Sequence, residues 1–434
     1  MDFDGARPLG EGARGGLELA DLITDLQSRG VRFEIGDSPD GVETRRGGAG
    51  PSDSGMLWVE GVPVTLPTGG GLDATTPYVL REDGDARGHG DGESGASRFG
   101  DAGNGESGAT RSGDAGDVGG CGSGGRKLAI YAGGQRLAAA SSAGRPRYYD
   151  LATDDGIPYW KIALLHLDSL ASTVLQTCTY WGNKDQCQFC GIGLSLAGGR
   201  TIAKKRPEQL AEVAVAAKEL DGAVDATLTT GSTSGRDRGA LYVAACGRAV
   251  KEASGLPVQV QFEPPASADD LDVIDRVHDE GIDAVGIHVE SFDPVVLARV
   301  APGKARTGIE TYFAAWERAV ALFGPGQVST YVILGMGEDP TLTVAGCRRA
   351  VDMGVYPFVV PLRPIAGSLM ADCLPPDAEY TESIYRQVVP YLLARGMDSS
   401  GVSAGCARCQ ACSAMASVER SIKLTATRPA TRAG

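Results

Sequence analysis

Three cysteines lie close together near the middle of the chain. Cys178, Cys187 and Cys190 form the pattern C-x8-C-x2-C in the segment CTYWGNKDQCQFCG. Structural zinc normally takes four protein ligands in a closed tetrahedron, whereas a [4Fe–4S] cluster held by three thiolates leaves one iron free to bind a small molecule. The absence of a fourth nearby cysteine favours such a cluster. A zinc ion completed by a distant ligand such as Cys246, and core cysteines clustered by chance, are the alternatives.

A second group of cysteines lies further along the chain. Cys406, Cys409 and Cys412 form the pattern C-x2-C-x2-C, which matches the ferredoxin-like way of folding a loop around a [4Fe–4S] cluster. We expect an auxiliary [4Fe–4S] cluster here, whose fourth ligand would be Cys373, a substrate atom or nothing. Zinc is the rival occupant, and a group without metal is the remaining alternative.

Alternating strand and helix patterns must position these cysteines. The strand-like runs are TVLQT, ATLTTG, VQVQFE, AVGIHVE, VSTYVILG and PFVVPL, with helical runs such as PEQLAEVAVAAKEL between them. Apolar strands of this kind suit a parallel sheet buried on both faces. Six repeats predict an α/β fold, either a (βα)6 partial barrel or most of a (βα)8 TIM-like barrel, with a doubly wound sheet as the alternative. Ligands bind at the carboxyl ends of the strands in either fold, so the loop after Cys178 should face the ligand.

The cysteine loop and the barrel pattern together resemble the radical S-adenosylmethionine (SAM) superfamily. Phe189 matches the aromatic position of that superfamily's C-x-φ-C element, although C-x8-C departs from its usual C-x3-C spacing. More narrowly, the segments YYDLATDDGIPYWKIALLH, TVLQTCTYW and KKRPEQLAEVA resemble a biotin-synthase-like family of radical enzymes, typically encoded beside a nitrilase. The resemblance covers residues 56–80 and 127–425.

The resemblance implies that residues at other strand ends bind SAM. Gly231 and Ser232 stand where the superfamily has a Gly-Gly-Glu-like element for the amino group of SAM, without the glutamate. Glycine allows close backbone approach to a ligand, and hydroxyls can accept hydrogen bonds from an ammonium group. Glu263 and Glu290 end the third and fourth strands, and we expect both to contact the cofactor, with solvated acids at strand ends as the alternative.

The fifth and sixth strands offer two further elements. Ile333 and Gly335 lie in ILGMGE, which resembles the superfamily's G-x-I-x-G-x-x-E element and implies, with the backbone of Phe189, a binding surface for adenine. Arg363 follows the sixth strand, where its guanidinium could bind a carboxylate of the substrate or cofactor. A salt bridge within the barrel is the alternative for Arg363.

The resemblance implies an enzyme that cleaves SAM reductively at a [4Fe–4S] cluster and abstracts hydrogen from a small-molecule substrate. An electron donor such as flavodoxin or ferredoxin would be its partner. A non-enzymatic iron–sulfur or zinc protein, for metal binding or electron transfer, is the alternative. A zinc-dependent hydrolase is a third reading, but the chain has only four histidines to supply its ligands.

Composition narrows the class of protein. The 434 residues carry a formal net charge of −14, from 41 Lys and Arg against 55 Asp and Glu. Such a surface repels phosphate backbones, so nucleic-acid binding is disfavoured. The start MDFDGARPLGEG lacks the apolar core of a secretory signal, and no run of about 18 apolar residues predicts a membrane span. We expect a cytoplasmic protein.

The chain divides into five regions by composition. We predict a small α+β N-terminal region over residues 1–81, and a disordered Gly- and Asp-rich insertion over 82–126 that has too few apolar residues to order itself. Residues 127–172 continue the N-terminal region and lead into the barrel. The barrel is predicted over residues 173–396, and a Cys-rich extension over 397–434.

Overall fold

Two β-sheets organise the chain in a computed structural model that describes residues 16–35, 54–67, 75–83, 127–142 and 144–427. Most of the predicted insertion lies outside these ranges, so its disorder stays a prediction. In the described ranges, no helix combines the length and the apolar character that crossing a membrane requires.

The first sheet belongs to the N-terminal region. It follows helix α1 (Gly16–Arg29), and five of its six strands pair antiparallel, with only β1 and β4 parallel. Its strands, in the spatial order β1-β4-β5-β6-β2-β3, are β1 (Arg32–Phe33), β2 (Ser54–Val59), β3 (Val62–Pro67), β4 (Tyr78–Glu82), β5 (Lys127–Ala132) and β6 (Gln135–Ser141). Because β4 and β5 are hydrogen-bonded neighbours, the chain between them leaves and re-enters the sheet at adjacent strand ends.

The second sheet is the predicted parallel sheet. Its strands lie in chain order: β7 (Leu164–His166), β8 (Ser169–Thr173), β9 (Asp225–Thr229), β10 (Val258–Gln261), β11 (Ala284–Gly286), β12 (Val328–Leu334) and β13 (Val355–Pro361). Strands β8 to β13 are parallel, and β7 forms an antiparallel hairpin with β8. Six parallel strands in sequential order confirm the partial-barrel form of the predicted α/β fold. A doubly wound sheet would show a reversal of strand order.

Helices connect the strands of the second sheet. They are α2 (Ile192–Ala197), α3 (Pro207–Asp221), α4 (Ala240–Ser254), α5 (Asp272–Asp279), α6 (Pro294–Val300), α7 (Pro302–Thr307), α8 (Ile309–Phe323), α9 (Pro340–Asp352), α10 (Ala378–Ala394), α11 (Cys406–Cys409) and α12 (Met415–Thr427). Helices α6 and α9 begin after aspartate caps and have proline in the first turn, a common way to start a helix. Sequence patterns did not predict α6 or α7, which lie between β11 and β12.

The first strand of the barrel differs from its prediction. The run TVLQT predicts a strand over residues 173–177, but β8 ends at Thr173 and pairs residue by residue with β9 over SLAST. The Val174 N–H still donates to the carbonyl of Thr229 in β9. Beyond it the chain turns to a loop: the Gln176 N–H donates to the carbonyl of Ala203, and the Lys205 N–H donates to the carbonyl of Val174. The run SLASTVLQT continues across both segments without a glycine or proline, so composition alone cannot locate the strand end.

One hydrophobic core joins the two sheets. It contains Ile23 of α1, Leu66 of β3, Leu334 of β12, Phe358 of β13 and Met415 of α12, all of which are buried. At about 25 cal/mol per Å² of apolar surface, burial of side chains of this size contributes roughly 1.5–3 kcal/mol each. The N-terminal sheet is therefore packed against the last strands of the barrel and against the C-terminal helix.

Candidate active site

A cavity of about 270 Å³ lies at the carboxyl ends of the barrel strands. A single water needs only about 10–15 Å³ by the same kind of measure, so the cavity has room for a much larger ligand. Its lining contains all three residues of the first cysteine group together with five of the residues predicted to bind the cofactor: Cys178, Cys187, Cys190, Phe189, Gly231, Ser232, Glu263 and Glu290. Ile333 and Gly335 are not among the lining residues.

Backbone contacts hold the first cysteine loop in place. The Thr179 N–H donates to the Ser232 carbonyl at 2.8 Å, at the end of β9. On the other side, Gln188 donates its backbone N–H to the Val300 carbonyl at 2.8 Å and its side-chain amide to the Arg299 carbonyl at 2.7 Å. The loop is therefore fixed between the end of one strand and the end of helix α6.

Gly231 allows the backbone of the cysteine loop to pack closely against the segment that follows β9. A Cβ atom at this position would lie 2.1 Å from the carbonyl oxygen of Thr177, the residue before Cys178. Only glycine lets the two backbone segments approach so closely. Gly231 therefore makes its close backbone approach to the cysteine loop. It also lines the cavity, so the expected approach to a ligand stays a prediction.

The thiols of the loop are in a desolvated environment. Burial raises the pKa of Cys187, while the charge on Lys304 opposes that rise. Burial also raises the pKa of Cys190 to about 11, although the N–H of Ile192, which donates to its sulfur at 3.4 Å, lowers it. Thiolates are the metal-binding form of cysteine, so a cationic metal centre that displaces the protons suits this site.

A cluster and a single ion need different arrangements of donors. Within the described ranges, no three His, Cys, Asp or Glu side chains are grouped closely enough to hold one metal ion. Zinc needs its sulfur ligands at about 2.3 Å from one point. The thiolates of an iron–sulfur cluster bind different irons and are farther apart. The three cysteines line one cavity, and their side chains as placed here do not form a single-ion site.

Glu263 presents an unpartnered oxygen to this cavity. Its Oε1 accepts hydrogen bonds from the hydroxyl of Tyr180 and the hydroxyl of Thr307, both at 3.0 Å. Its Oε2 is buried and has no hydrogen-bond partner among the described residues. A buried carboxylate oxygen without a partner costs free energy, so a ligand donor at this place would be stabilising. This orphaned atom fits the ammonium or ribose hydroxyls of SAM.

Glu290 is held differently. Its side chain forms an ion pair with Lys304 of α7, which also donates to the carbonyl of His288 at 3.0 Å. Both side chains are largely buried, with 15% of Lys304 and 9% of Glu290 exposed. Sequence analysis did not identify Lys304, because nothing in its helical segment indicates which side chain faces the barrel.

His288 adds a hydrogen-bond donor to the same cavity. Its Nδ1 accepts the N–H of Tyr331 at 3.1 Å, and burial lowers the pKa of His288 well below its usual value. A neutral imidazole that accepts at Nδ1 carries its proton on Nε2. That Nε2 is buried without a partner in the described part of the chain. The ring lies over Gly286, where a Cβ would come within 2.5 Å of it.

The element predicted to flank adenine forms a closed turn. Gly335 has φ +93°, and a Cβ there would lie 2.7 Å from Pro376. The N–H groups of Gly335 and Met336 each donate to the carboxylate of Glu338 at 2.8 Å. Ile333 packs in the core beside it. These contacts give the turn a structural role, and the predicted contact with adenine stays a prediction.

The second cysteine group lies inside the barrel. Cys406, Cys409 and Cys412 line a cavity of about 100 Å³ whose walls are inward-facing strand residues. This second cavity shares Thr229 and Gln261 with the first one. The Gln261 amide donates to the sulfur of Cys406 at 3.3 Å. Burial raises the pKa of Cys406 to about 11 and raises that of Cys409 further.

Arg408 fixes the second group at the amino ends of the strands. Its guanidinium binds Asp168 at 2.7 Å and Asp225 at 2.9 Å, just before β8 and at the start of β9. The N-terminal sheet covers the other side: the Thr65 N–H donates to the Ala411 carbonyl at 2.6 Å, and the Thr65 hydroxyl lies 3.7 Å from the sulfur of Cys412. The second group thus enters the barrel interior from the amino ends of the strands, whereas the first lies at their carboxyl ends.

Arg363 contacts the N-terminal sheet. Its Nη2 donates to the Thr65 carbonyl at 2.8 Å, and its Nη1 is buried without a partner among the described residues. Burial lowers the pKa of Arg363, whereas a thiolate at Cys412 favours the charged guanidinium. Arg363 does not line the first cavity, and it forms no salt bridge with a barrel acid among the described residues, so the expected contact with a ligand carboxylate stays a prediction.

Comparisons with known proteins agree with this geometry. Residues 178–342 match the model of the Radical SAM superfamily. The bacteriochlorophyllide c C-7(1)-hydroxylase of Chlorobaculum limnaeum is 29% identical over 127 residues, which cover 29% of this chain and 31% of the hydroxylase. The chain thus matches about a third of the length of that curated relative.

Two solved structures are also similar. A methylornithine synthase matches 62% of this chain and 79% of its own at 16% identity and a TM-score of 0.40. A radical SAM methyltransferase from Sphaerobacter thermophilus matches 56% of this chain and 67% of its own at 17% identity and a TM-score of 0.40. The residues 178–342 that match the Radical SAM superfamily include the first cysteine group, Glu263 and Glu290.

Proposed function

We propose that this chain is a radical SAM enzyme that binds a [4Fe–4S] cluster through Cys178, Cys187 and Cys190 and acts on a small molecule inside the barrel. When bound, the cluster and SAM supply a one-electron reductive cleavage that lets hydrogen be abstracted from the substrate. The observation that carries the proposal is the convergence of three cysteines on one cavity that also presents the orphaned oxygen of Glu263.

Glu263 orients the cofactor in this proposal. Tyr180 and Thr307 hold one carboxylate oxygen, which fixes the plane of the group and leaves Oε2 to accept from an ammonium or a ribose hydroxyl. Gly231 and Ser232 border the same space from the end of β9. Phe189 lines it from the cysteine loop, where its backbone would contact adenine.

Lys304 balances charge around the first cysteine group. Its positive charge lowers the pKa of Cys187 against the larger effect of burial, and its ion pair with Glu290 keeps it at the cavity. Glu290 therefore contributes mainly by holding Lys304, and it reaches the cofactor only with the oxygen that Lys304 leaves free. The pair also removes an isolated buried charge from the site, which would otherwise cost several kcal/mol.

The substrate lies between the two cavities. They share Thr229 and Gln261, and the Nε2–H of His288 donates into the first cavity from the same interior. A substrate with a carbonyl, carboxylate or ring-nitrogen acceptor would satisfy that donor.

A second metal centre and an electron donor complete the proposed function. We infer that Cys406, Cys409 and Cys412 hold an auxiliary [4Fe–4S] cluster, because they combine the ferredoxin-like spacing C-x2-C-x2-C with a shared cavity. An electron donor such as flavodoxin or ferredoxin reduces the first cluster. Reduced thiols in both groups fit a cytoplasmic location. A pure electron carrier is the weaker candidate, since it has no use for Glu263 and His288 in a cavity.

Anaerobic iron–sulfur reconstitution followed by an assay for 5′-deoxyadenosine tests the proposal. The reaction contains SAM and dithionite, and the test variant replaces Cys178, Cys187 and Cys190 with alanine. The exposed Cys373→Ala variant is the matched control. We expect product from the wild type and the control and none from the triple variant. A wild type fully loaded with iron that forms no product would refute the proposal.

A further inference from the structure

The second cysteine group offers three thiolates, and the sequence leaves its fourth ligand open. Cys373, the cysteine considered for that role, is exposed and follows β13 at the carboxyl side of the barrel. The cysteine group is at the amino side, where Arg408 binds Asp168 and Asp225. Cys373 does not line the second cavity, so a fourth ligand must come from elsewhere.

His166 lines the same cavity as the three cysteines. It is the last residue of β7 and pairs with Ser169 across the hairpin to β8. Imidazole is the one side chain in that lining, besides the thiols, that commonly binds metal ions in proteins. The chain brings it there from a distant part of the sequence, which explains why no local motif reveals it.

A rigid connection holds His166 beside the cysteine loop. Arg408 lies between Cys406 and Cys409 in sequence, and its guanidinium binds Asp168, two residues after His166, at 2.7 Å. The same guanidinium binds Asp225, whose side chain is fully buried, and the Gly405 N–H donates to that carboxylate at 2.7 Å. The hairpin and strand β9 are therefore both joined to the cysteine loop by charge-assisted hydrogen bonds.

We propose that His166 completes a four-ligand iron–sulfur site with Cys406, Cys409 and Cys412. This inference deepens the proposed function and rests on it for the auxiliary cluster. Imidazole replaces thiolate on iron in some iron–sulfur centres, so the donor set is chemically competent. Four protein ligands leave no iron of this centre open to substrate, in contrast to the first cluster. The hydrogen bond from Gln261 to Cys406 places a neutral donor on one ligand sulfur.

The test isolates the second site. The chain with Cys178, Cys187 and Cys190 all replaced by alanine is labelled with ¹⁵N-histidine, reconstituted anaerobically and reduced. Iron and sulfide content report loading, and pulsed EPR reports hyperfine coupling between the cluster and nitrogen. We expect a cluster of about four irons with strong nitrogen coupling. Adding His166→Ala should abolish the coupling and lower the iron content, whereas His166→Cys should abolish the coupling and keep the iron.

Controls separate this inference from the proposed function. His278→Ala, on exposed helix α5, should leave coupling and iron content unchanged. Coupling that survives in His166→Cys, coupling absent from the parent protein, or zinc in place of iron would overturn the assignment. The 5′-deoxyadenosine assay on the otherwise wild-type chain tests the first site separately, so either conclusion can fail while the other stands.

Discussion

The two cysteine groups contain the same number of thiols but differ in their surroundings. The first lies in an irregular loop at the carboxyl ends of the strands, beside the buried Lys304–Glu290 pair and the orphaned oxygen of Glu263. The second lies inside the barrel at the amino ends, among neutral strand residues, and is joined to the scaffold through Arg408. The difference shows that the same number of thiols can be placed beside a carboxylate and a buried ion pair at one site and among neutral strand residues at the other.

Single cysteine variants give the largest expected contrast. Cys187→Ser removes a ligand of the first group, so we expect loss of 5′-deoxyadenosine formation and of the iron bound at that site. Cys409→Ser removes a ligand of the second group and should lower total iron while SAM cleavage remains measurable. Iron analysis and the product assay on both variants check this. Loss of SAM cleavage in Cys409→Ser would show that the two sites are not separable.

The anchoring of the second group should dominate stability. Arg408→Leu leaves Asp225 buried without its counter-charge, and breaking a buried pair of this kind costs about 3–5 kcal/mol. Arg395→Leu breaks an ion pair with Asp352 in which both side chains are more than 40% exposed, and exposed pairs contribute only about 0–1 kcal/mol. Urea denaturation of the two variants measures the difference in free energy of unfolding. Equal effects would mean that Arg408 does not anchor the loop.

Glu263→Gln should weaken SAM binding without unfolding the protein. The amide keeps the shape of the carboxylate but removes its charge, and a hydrogen bond to a charged group contributes about 1.5–3 kcal/mol. We expect Kd for SAM to rise about ten- to hundredfold, measured by calorimetry on reconstituted protein. Glu310→Gln, at an exposed position on α8, is the control. Unchanged affinity in Glu263→Gln would place the cofactor elsewhere in the cavity.

The smallest expected effect is a pH dependence of the free energy of unfolding that comes from Lys205. This side chain forms hydrogen bonds to the chain before Cys178. Its ammonium donates to the carbonyl of Thr173 and the hydroxyl of Thr201, both at 2.6 Å, and burial lowers the pKa of Lys205 to about 7. The unfolded chain keeps a lysine pKa near about 10.4. Between those values the unfolded state binds more protons, so the contribution of Lys205 to stability rises with pH over that window and is constant below it.

Lys205→Met removes this titration. The free energy of unfolding of the wild type minus that of the variant should grow by about 2 kcal/mol from pH 7.5 to pH 9. Denaturation at the two pH values gives that difference, and Lys218→Met on the exposed side of α3 should show no such trend. A difference that shrinks with rising pH would mean that Lys205 stays charged in the folded state.

The parts of the fold and of the candidate site that depend on local sequence patterns could be predicted from the sequence. The parallel strands, their order and the meeting of the first cysteine group with Glu263 follow from periodicity and from the rule for strand ends. Lys304 could not be predicted, because which side chain of a short helix faces the barrel depends on packing. The placement of the second cysteine group also escaped prediction, since it rests on the contact between Arg408 and Asp168, 240 residues apart.

The ion pair between Arg408 and Asp225 also has a consequence for biosynthesis. Domains form as the chain emerges, beginning at the N-terminal side, and Asp225 precedes its counter-charge by 183 residues. All residues of the first cysteine group have been made by residue 190, whereas the amino end of the barrel stays open until residue 412 has been added. The nascent barrel therefore passes through a stage in which its interior is accessible from the amino ends of the strands, and the segment that carries the second cysteine group closes it last.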